Sequence, residues 1–211
     1  MKKEKIKPVV DPSAEEKIKN AARIIFQKKG FAATRTRDIA EEAGMNLALL
    51  NYYFRSKEKL FDIIMLESLR DFLKSIITLL SNEDNTFEKK IELFVENYID
   101  FLMEHPHIPL FILSELRANP NALVSKMNLK EVLMKSNFIK QFQEQVKKGK
   151  ISPIHPVHFL MNLAGLVVFP FIASPIIRNL GDLKGDKEFN EIMQQRKKMI
   201  PQWIKQMYKP I

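Results

Sequence analysis

The segment from Gly44 to Phe61, GMNLALLNYYFRSKEKLF, holds more large apolar side chains than one short surface helix can bury. Six of them fall within eight residues: Leu47, Leu49, Leu50, Tyr52, Tyr53 and Phe54. Because a surface helix buries one face only, helical spacing predicts that Leu50 and Phe54 turn inward. Other members of the set then have to point outward, toward the C-terminal part of the chain or toward a partner.

Helical periodicity and capping residues run along the chain, without a useful strand pattern or an internal repeat. The predicted fold class is therefore all-α, with about nine helices. Ser13 is predicted to start the first helix in a capping box, and Gly30 to end it. Thr34, Asn46 and Ser56 are the predicted caps of helices two, three and four. The later helices are predicted over residues 86–104, 110–117, 122–148, 155–179 and 186–207.

Positive charge is concentrated at the N-terminal end. Residues 1–60 hold 14 Lys and Arg against 8 Asp and Glu, a net charge of +6 out of the total of +9. The remaining 151 residues contribute only +3. This distribution favours a polyanion-binding N-terminal part, with ordinary solvated surface lysines as the alternative.

Other features of composition bear on the cell compartment. The chain has no cysteine, which excludes disulfides and thiolate chemistry and suits a cytoplasmic protein. The start, MKKEKIKPVV, leads into DPSAEEK and not into an apolar segment, so no secretory signal is predicted. Residues 159–177 form the most apolar stretch, but Asn162, Pro170 and Pro175 interrupt it. We therefore expect a buried helix there and no membrane span.

Helices two and three have the pattern of a helix-turn-helix. Both are short, and Gly44 with Met45 makes the tight connection between them. In this motif the second helix enters the major groove of DNA, because a helix about 10–12 Å across matches a groove about 12 Å wide. The outward apolar residues of the opening segment would then face DNA.

Each outward residue of the third helix suits a particular contact. Leu47 and Ala48 could contact thymine methyl groups, and Asn51 could pair with the edge of an adenine. Tyr52 and Tyr53 could donate hydrogen bonds to phosphates. Packing of these side chains against the C-terminal part remains the alternative.

Basic residues stand at two helix N-termini. Arg35 and Arg37 follow Thr34 in the first turn of helix two, and Lys57 follows the cap of helix four. A cation in the first turn is unfavourable by about 0.3–1 kcal/mol, since the helix dipole is positive there. We expect these cations and the free N–H groups to meet phosphates, although Asp38 and Glu58 could instead neutralise them.

The segment GFAATRTRDIAEEAGMNLALLNYYFRSKEKLF, residues 30–61, resembles the DNA-binding domain of the TetR family of transcriptional regulators. The matching positions are Gly30, Phe31, Thr34, Asp38, Ile39, Ala40, Ala43, Gly44, Leu50, Tyr53, Phe54, Ser56, Lys57 and Leu60. The resemblance implies DNA contacts by Thr36 and Arg37, a recognition helix over residues 46–53 that starts at Asn46, and a backbone contact by Lys57. Asn51 and Ala48 depart from the common family residues, so the operator cannot be taken from a relative.

The resemblance also implies the roles of the remaining chain. Residues 1–57 would form the DNA-binding domain and residues 58–211 a ligand-binding and dimerisation domain, with helix four, from residue 56, joining them. Two copies would associate through residues 155–179 and 186–207. Helices four to eight would enclose a site for an unknown small-molecule effector, for which no residue is assigned.

Catalytic chemistry has little support in the sequence. There is no Gly-rich phosphate loop, no HExxH, no GxSxG and no cysteine, so neither an enzyme nor a cofactor or metal site is predicted. His105, His107, His155 and His158 are interpreted as loop and helix-start residues. The predicted function is a homodimeric, sequence-specific DNA-binding transcriptional regulator. It is expected to be a repressor that is released from a palindromic operator when a small, largely apolar ligand binds. The alternative is a ligand-independent or architectural DNA-binding protein, or a regulator switched by a protein partner.

Overall fold

A computed structural model describes residues 12–118 and 129–210, and within these ranges the chain forms helices and no strand. The predicted all-α class is confirmed. The helices are α1 (Pro12–Ala33), α2 (Thr36–Glu42), α3 (Leu47–Phe54), α4 (Lys57–Ser81), α5 (Phe87–Glu104), α6 (Ile108–Ala118), α7 (Leu129–Met134), α8 (Asn137–Lys147), α9 (Pro156–Ile172), α10 (Ser174–Leu180) and α11 (Asp186–Met207). The described ranges thus hold eleven helices, where about nine were predicted for the chain.

The chain divides into two compact units within α4, between Ser68 and Leu69. The first unit contains α1, α2, α3 and the start of α4. Its core is formed by buried residues from all four helices: Ile18, Ala22, Ile25, Phe26, Ile39, Leu50, Phe54, Leu60 and Ile64. Leu50 is fully buried and Phe54 nearly so, as helical spacing predicted.

Ion pairs tie α1 to the first part of α4. Glu67 accepts from Lys19 at 2.8 Å and from Arg23 at 2.5 Å, and Glu16 on α1 pairs with the same two cations. Because a network of several charges holds its geometry better than an isolated surface pair, it fixes these helices within the first unit.

Two of the predicted N-caps in the first unit are wrong. Thr34 is buried and its hydroxyl donates to the carbonyl of Gly30 at 2.7 Å, so α2 begins one residue later, after Arg35. The Arg35 N–H donates to Asp38 Oδ2 at 3.0 Å. Ser13 does not cap α1, because that helix already includes Pro12. The preceding residue, Asp11, lies outside the described residues.

The second unit is built mainly from α5, α8, α9 and α11. Its core joins buried aromatic and aliphatic residues of these helices: Phe87, Ile91, Val95, Ile99, Phe138, Phe142, Phe159, Leu163, Val167, Phe171, Met193, Ile200 and Ile204. The predicted helix over 155–179 is two helices, α9 and α10, which are bent by 73° around Ala173. The predicted helix over 122–148 is interrupted too, since Ser136 caps α8; its predicted start lies outside the described residues.

No single helix among the described residues combines the length and the apolar character that crossing a membrane requires. The pair formed by α9 and α10 passes this test only when both are counted together. α9 buries Phe159, Leu163, Val167 and Phe171 inside the second unit, as expected for a core helix.

Lys90 is a fully buried lysine on α5. Its ammonium donates to Oδ1 of Asn137 at 2.5 Å and to Oε1 of Gln141 at 2.9 Å, both on α8. No carboxylate of the described residues lies within ion-pair distance of it. Burial lowers the pKa of Lys90, and the more distant Glu83 opposes this only in part.

The buried ammonium predicts a pH-dependent stability. Above the lowered pKa of Lys90 and below its ordinary value of 10.5, the unfolded chain binds more protons than the folded chain. The free energy of unfolding that Lys90 contributes should therefore rise with pH in this window. We expect the wild type to gain stability relative to Lys90→Met as the pH is raised from neutral to 10.5, measured by urea unfolding with Trp203 fluorescence. Lys140→Met, at an exposed site on α8, serves as the control, and a pH-independent difference for Lys90→Met would contradict the prediction.

Candidate nucleic-acid interface

The connection between α2 and α3 is a tight turn that requires glycine. Gly44 has a φ of +64°, in the left-handed region that side chains disfavour, and the Met45 N–H donates to the carbonyl of Ala40 at 2.9 Å. This turn redirects the chain within four residues. α2 and α3 therefore form the helix-turn-helix that the spacing predicted.

α3 presents two chemically different faces. Asn46 caps it, since its Oδ1 accepts from the Leu49 N–H at 2.8 Å, and the amide NH₂ of Asn46 is still a donor. Leu50 and Phe54 are buried, whereas Ala48 and Asn51 are exposed. The Asn51 side chain makes no hydrogen bond to another described residue. One face thus anchors the helix and the other can meet a ligand.

All ten predicted DNA-contact residues can be reached by solvent. Six are exposed: Arg35, Arg37, Asn46, Ala48, Asn51 and Tyr52. Four are half-buried: Thr36, Leu47, Tyr53 and Lys57. The rings of Tyr52 and Tyr53 lie 5.5 Å apart at nearly a right angle, so each limits the freedom of the other. Packing inside the first unit therefore does not use up the outward face of α3.

Asp38 forms no ion pair with either arginine at the start of α2. Its carboxylate accepts the Arg35 N–H and the ammonium of Lys29 at 3.1 Å, and these contacts lower the pKa of Asp38. The nearby charge of Arg35 also helps to lower the pKa of this carboxyl. Among the described residues, neither Arg35 nor Arg37 has a carboxylate within ion-pair distance of its guanidinium group. Both guanidinium groups are therefore presented to solvent beside the α2 N-terminus.

Lys57 has a structural role that the sequence did not indicate. Its ammonium donates to the carbonyls of Phe31 at 2.9 Å and Thr34 at 3.0 Å, and lies 4.2 Å from the centre of the Phe31 ring. An ammonium has three N–H groups, so one remains for an anion. Lys57 thus stabilises the connection between α1 and α2 in addition to any contact with DNA.

Arg55 is a basic residue of this surface that sequence reasoning missed. It follows α3 directly, is exposed, and has a φ of +57°. Because it lies between the end of α3 and the start of α4, it adds a further exposed cation to the helix-turn-helix segment. Its position one residue after the buried Phe54 could have indicated that its side chain is exposed.

The histidines have helix-end and loop positions. His155 caps α9 through Nδ1, which accepts the Val157 N–H at 3.2 Å, as expected for a helix-start residue. His105 follows the last residue of α5. In the described part of the chain, no group of three or more His, Asp or Glu side chains could hold a metal ion.

Comparison with known proteins agrees with this interface. Residues 18–64 match the family described as "Bacterial regulatory proteins, tetR family". The protein named "Probable HTH-type transcriptional regulator YttP" of Bacillus subtilis (strain 168) is 27% identical over 164 residues, which cover 76% of this chain and 78% of that protein. The HTH-type transcriptional regulator RutR of Escherichia coli (strain K12) is 28% identical over 151 residues, 70% of this chain and 69% of RutR.

A solved structure shows the same fold along the chain. The transcriptional regulator of the TetR/AcrR family from Thermobifida fusca YX-ER1 aligns with a TM-score of 0.62 and 16% identity, and covers 94% of this chain and all of that one. The matched residues 18–64 include α2, α3 and their turn. The relatives belong to a non-enzymatic class. Residues 18–64 thus carry a DNA-binding domain of the TetR type, and the chain as a whole is similar to transcriptional regulators of that family.

Proposed function

We propose that the protein is a homodimeric repressor. It binds a palindromic operator through α3 of each protomer, and a small ligand releases it from the operator. Residues 1–57 act as the DNA-binding domain and residues 58–211 as the ligand-binding and dimerisation domain. The observation that carries the proposal is the two-faced α3, in which buried Leu50 and Phe54 leave Ala48, Asn51 and Tyr52 outside. Arg35 and Arg37 add exposed positive charge at the neighbouring helix end.

A mobility-shift comparison tests this proposal. The probe is a palindrome selected from random duplexes by the wild-type protein, and the competitor is random DNA. A sequence-specific repressor should prefer the selected palindrome by about 10³-fold or more. Equal binding of both duplexes would instead indicate an architectural protein. Release by members of a broad ligand panel tests the effector part.

Asn51 is proposed to read an adenine. Its amide can form two hydrogen bonds with the N6 and N7 edge, and such a pair discriminates against the wrong base by about 1–3 kcal/mol. We expect Asn51→Ala to relax the preference at one base pair in each half-site and to keep it elsewhere, measured by binding to operators changed one pair at a time. A uniform loss for all sequences would make Asn51 a backbone contact. Lys59→Ala, at an exposed site on α4, is the control for local change.

Lys57→Ala should have a double effect. Loss of the hydrogen bonds to Phe31 and Thr34 should lower the stability of the first unit by about 1.5 kcal/mol, because charge-assisted bonds are the stronger kind. Loss of a phosphate contact should also reduce the salt dependence of DNA binding by about one counterion for every sequence. Thermal unfolding and binding at several salt concentrations measure the two effects. Lys59→Ala removes the same charge and should leave stability unchanged.

Dimerisation is proposed through the exposed apolar face of α9 and α11. Met161 and Phe169 are each 63% exposed and lie on α9, whose other face is buried in the second unit. Gly165 stands between them at helical spacing, and a Cβ added there would meet no atom within 4 Å, so another helix can approach closely. Met199 and Met207 add exposed apolar surface on α11. Such a surface is typical of an interface between copies.

A pocket of about 370 Å³ on this face could receive a side chain of the second copy. Met161, Leu166, Phe169 and Arg196 are among its lining residues. The Arg196 guanidinium donates to the carbonyl of Leu166 at 2.6 Å and lies 5.2 Å from the Trp203 ring, but among the described residues its buried Nε has no acceptor. Since a buried donor without a partner is costly, a second copy that supplies an acceptor would stabilise the contact.

Ligand release would follow from linkage between the two units. α4 is one continuous helix from Lys57 to Ser81, so a change in its second half can be carried to the residues beside α3. A ligand that prefers a conformation unsuited to DNA weakens DNA binding by its differential affinity. Tenfold release requires about 1.4 kcal/mol, and a shift from 1:99 to 99:1 requires about 5.5 kcal/mol.

A further inference from the structure

A second pocket, of about 760 Å³, lies in the second unit. It is formed by the start of α5, the turn after α8, and the C-terminal end of α11. Its floor is apolar and buried, with Phe87, Ile91, Ile151, Phe159 and Ile204. The volume is in the range of small-molecule sites, and the pocket shares no lining residue with the one on the proposed dimer face.

The rim of this pocket is positively charged. Lys150, Lys205 and Lys209 line it and are exposed, while Glu88 is the one carboxylate among its lining residues. In the described part of the chain, none of the three ammonium groups lies within ion-pair distance of a carboxylate. The rim therefore attracts the anionic group of a ligand, and the buried floor can shield an apolar part of the same ligand from water.

The C-terminal wall of the pocket is fixed in place. Tyr208 is buried against Phe159, with ring centres 5.0 Å apart, and its hydroxyl accepts from Nδ2 of Asn162 at 2.6 Å. The Tyr208 carbonyl accepts the Ser152 N–H at 2.9 Å. A ligand would thus find a formed wall, and little binding energy would be spent on ordering it.

We propose that this pocket binds a small amphipathic anion, with its alkyl or aryl part on the apolar floor and its acidic group among the three lysines. The inference deepens the proposed function, because the bound anion would be the effector, and that role rests on DNA binding by the same protein. Binding of the anion to the pocket does not itself depend on DNA binding. The ligand class is therefore more specific than the largely apolar molecule expected from the sequence.

Calorimetry with octanoate, decanoate and dodecanoate, on the full chain without DNA, tests the site. Each added methylene buried on the floor should raise the affinity about fourfold. Dodecylammonium, with the same tail and the opposite charge, should bind at least about tenfold more weakly than dodecanoate. Equal affinity for dodecanoate and dodecylammonium, or no binding of any of the acids, would overturn the proposal.

Variants locate the binding. Lys205→Ala combined with Lys209→Ala should weaken dodecanoate binding about tenfold or more, whereas Lys187→Ala, at an exposed site outside the pocket, should leave it unchanged. Ile151→Phe should fill the floor and abolish binding, with the fold checked by circular dichroism. If that variant does not fold, the lysine pair still decides. The same loss in Lys187→Ala would mean non-specific attraction to the basic protein.

Operator release separates the two proposals. Dodecanoate should release the selected operator from the wild type and not from the lysine double variant. Binding without release would remove the effector role. Failure of the wild type to bind any operator would instead count against the proposed function, since the calorimetric result is obtained without DNA.

Discussion

Replacement of Phe169 by glutamate is expected to convert the proposed dimer into monomers and to lower the affinity for a palindromic operator by about 100-fold or more. A carboxylate at the centre of an apolar contact has to be desolvated, and central aromatic residues contribute about 2–4 kcal/mol to an interface. In a two-fold symmetric dimer the substitution acts twice, so the dimer dissociation constant should rise by about 10³-fold. A single recognition helix then holds only one half-site.

Light scattering after gel filtration and anisotropy of a labelled operator measure the two effects. Leu110→Glu is the matched control, because Leu110 is 55% exposed on α6, in the same unit but outside α9 and α11. It should keep both the molecular mass and the affinity of the wild type. A Phe169→Glu protein that still elutes as a dimer would place the interface on another surface.

The first unit shows what a sequence pattern can predict. The caps Asn46 and Ser56 act within one helix, and the inward side of α3, with Leu50 and Phe54, is set by helical spacing, so the local pattern was sufficient. Thr34 has a side chain typical of an N-cap, but tertiary burial turned its hydroxyl back to Gly30. A local rule therefore failed where packing decided the outcome.

The hydrogen-bond partners of Lys57 and Lys90 could not be predicted in this way. Lys57 reaches carbonyls 26 and 23 residues earlier in the chain, and Lys90 meets amides 47 and 51 residues later. Only the folded chain brings such groups together. The break at Ala173, by contrast, had a local signal. Pro175, in the first turn of α10, has no N–H to donate to the carbonyl of Phe171, so α9 cannot continue through it as a regular helix.

Replacement of Gly30 by valine is expected to destabilise the first unit by about 3 kcal/mol and to abolish DNA binding at the growth temperature of a mesophile. Gly30 has φ +73° and ψ 165°, a backbone region open almost only to glycine. A Cβ at this position would meet no atom within 4 Å, so the cost arises from the backbone and not from a clash. The strain would be relieved only by moving the helical residues 31–33 that follow Gly30. That movement would displace the Phe31 carbonyl, which accepts from Lys57.

The two units can be followed separately in one thermal unfolding experiment. Trp203, the one tryptophan of the sequence, lies in the second unit, so its fluorescence reports that unit, while circular dichroism reports helices of both. Gly30→Val should lower the first transition in circular dichroism and leave the Trp203 transition unchanged. Ala32→Val adds the same side chain two residues later, at an exposed helical position, and should shift stability by about 0.5 kcal/mol at most. If both variants lost the same stability, the cost would come from the helix propensity of valine and not from the left-handed backbone at residue 30. The conformation at Gly30 would then not determine the connection to which Lys57 donates, and some other contact would position the arginines of α2.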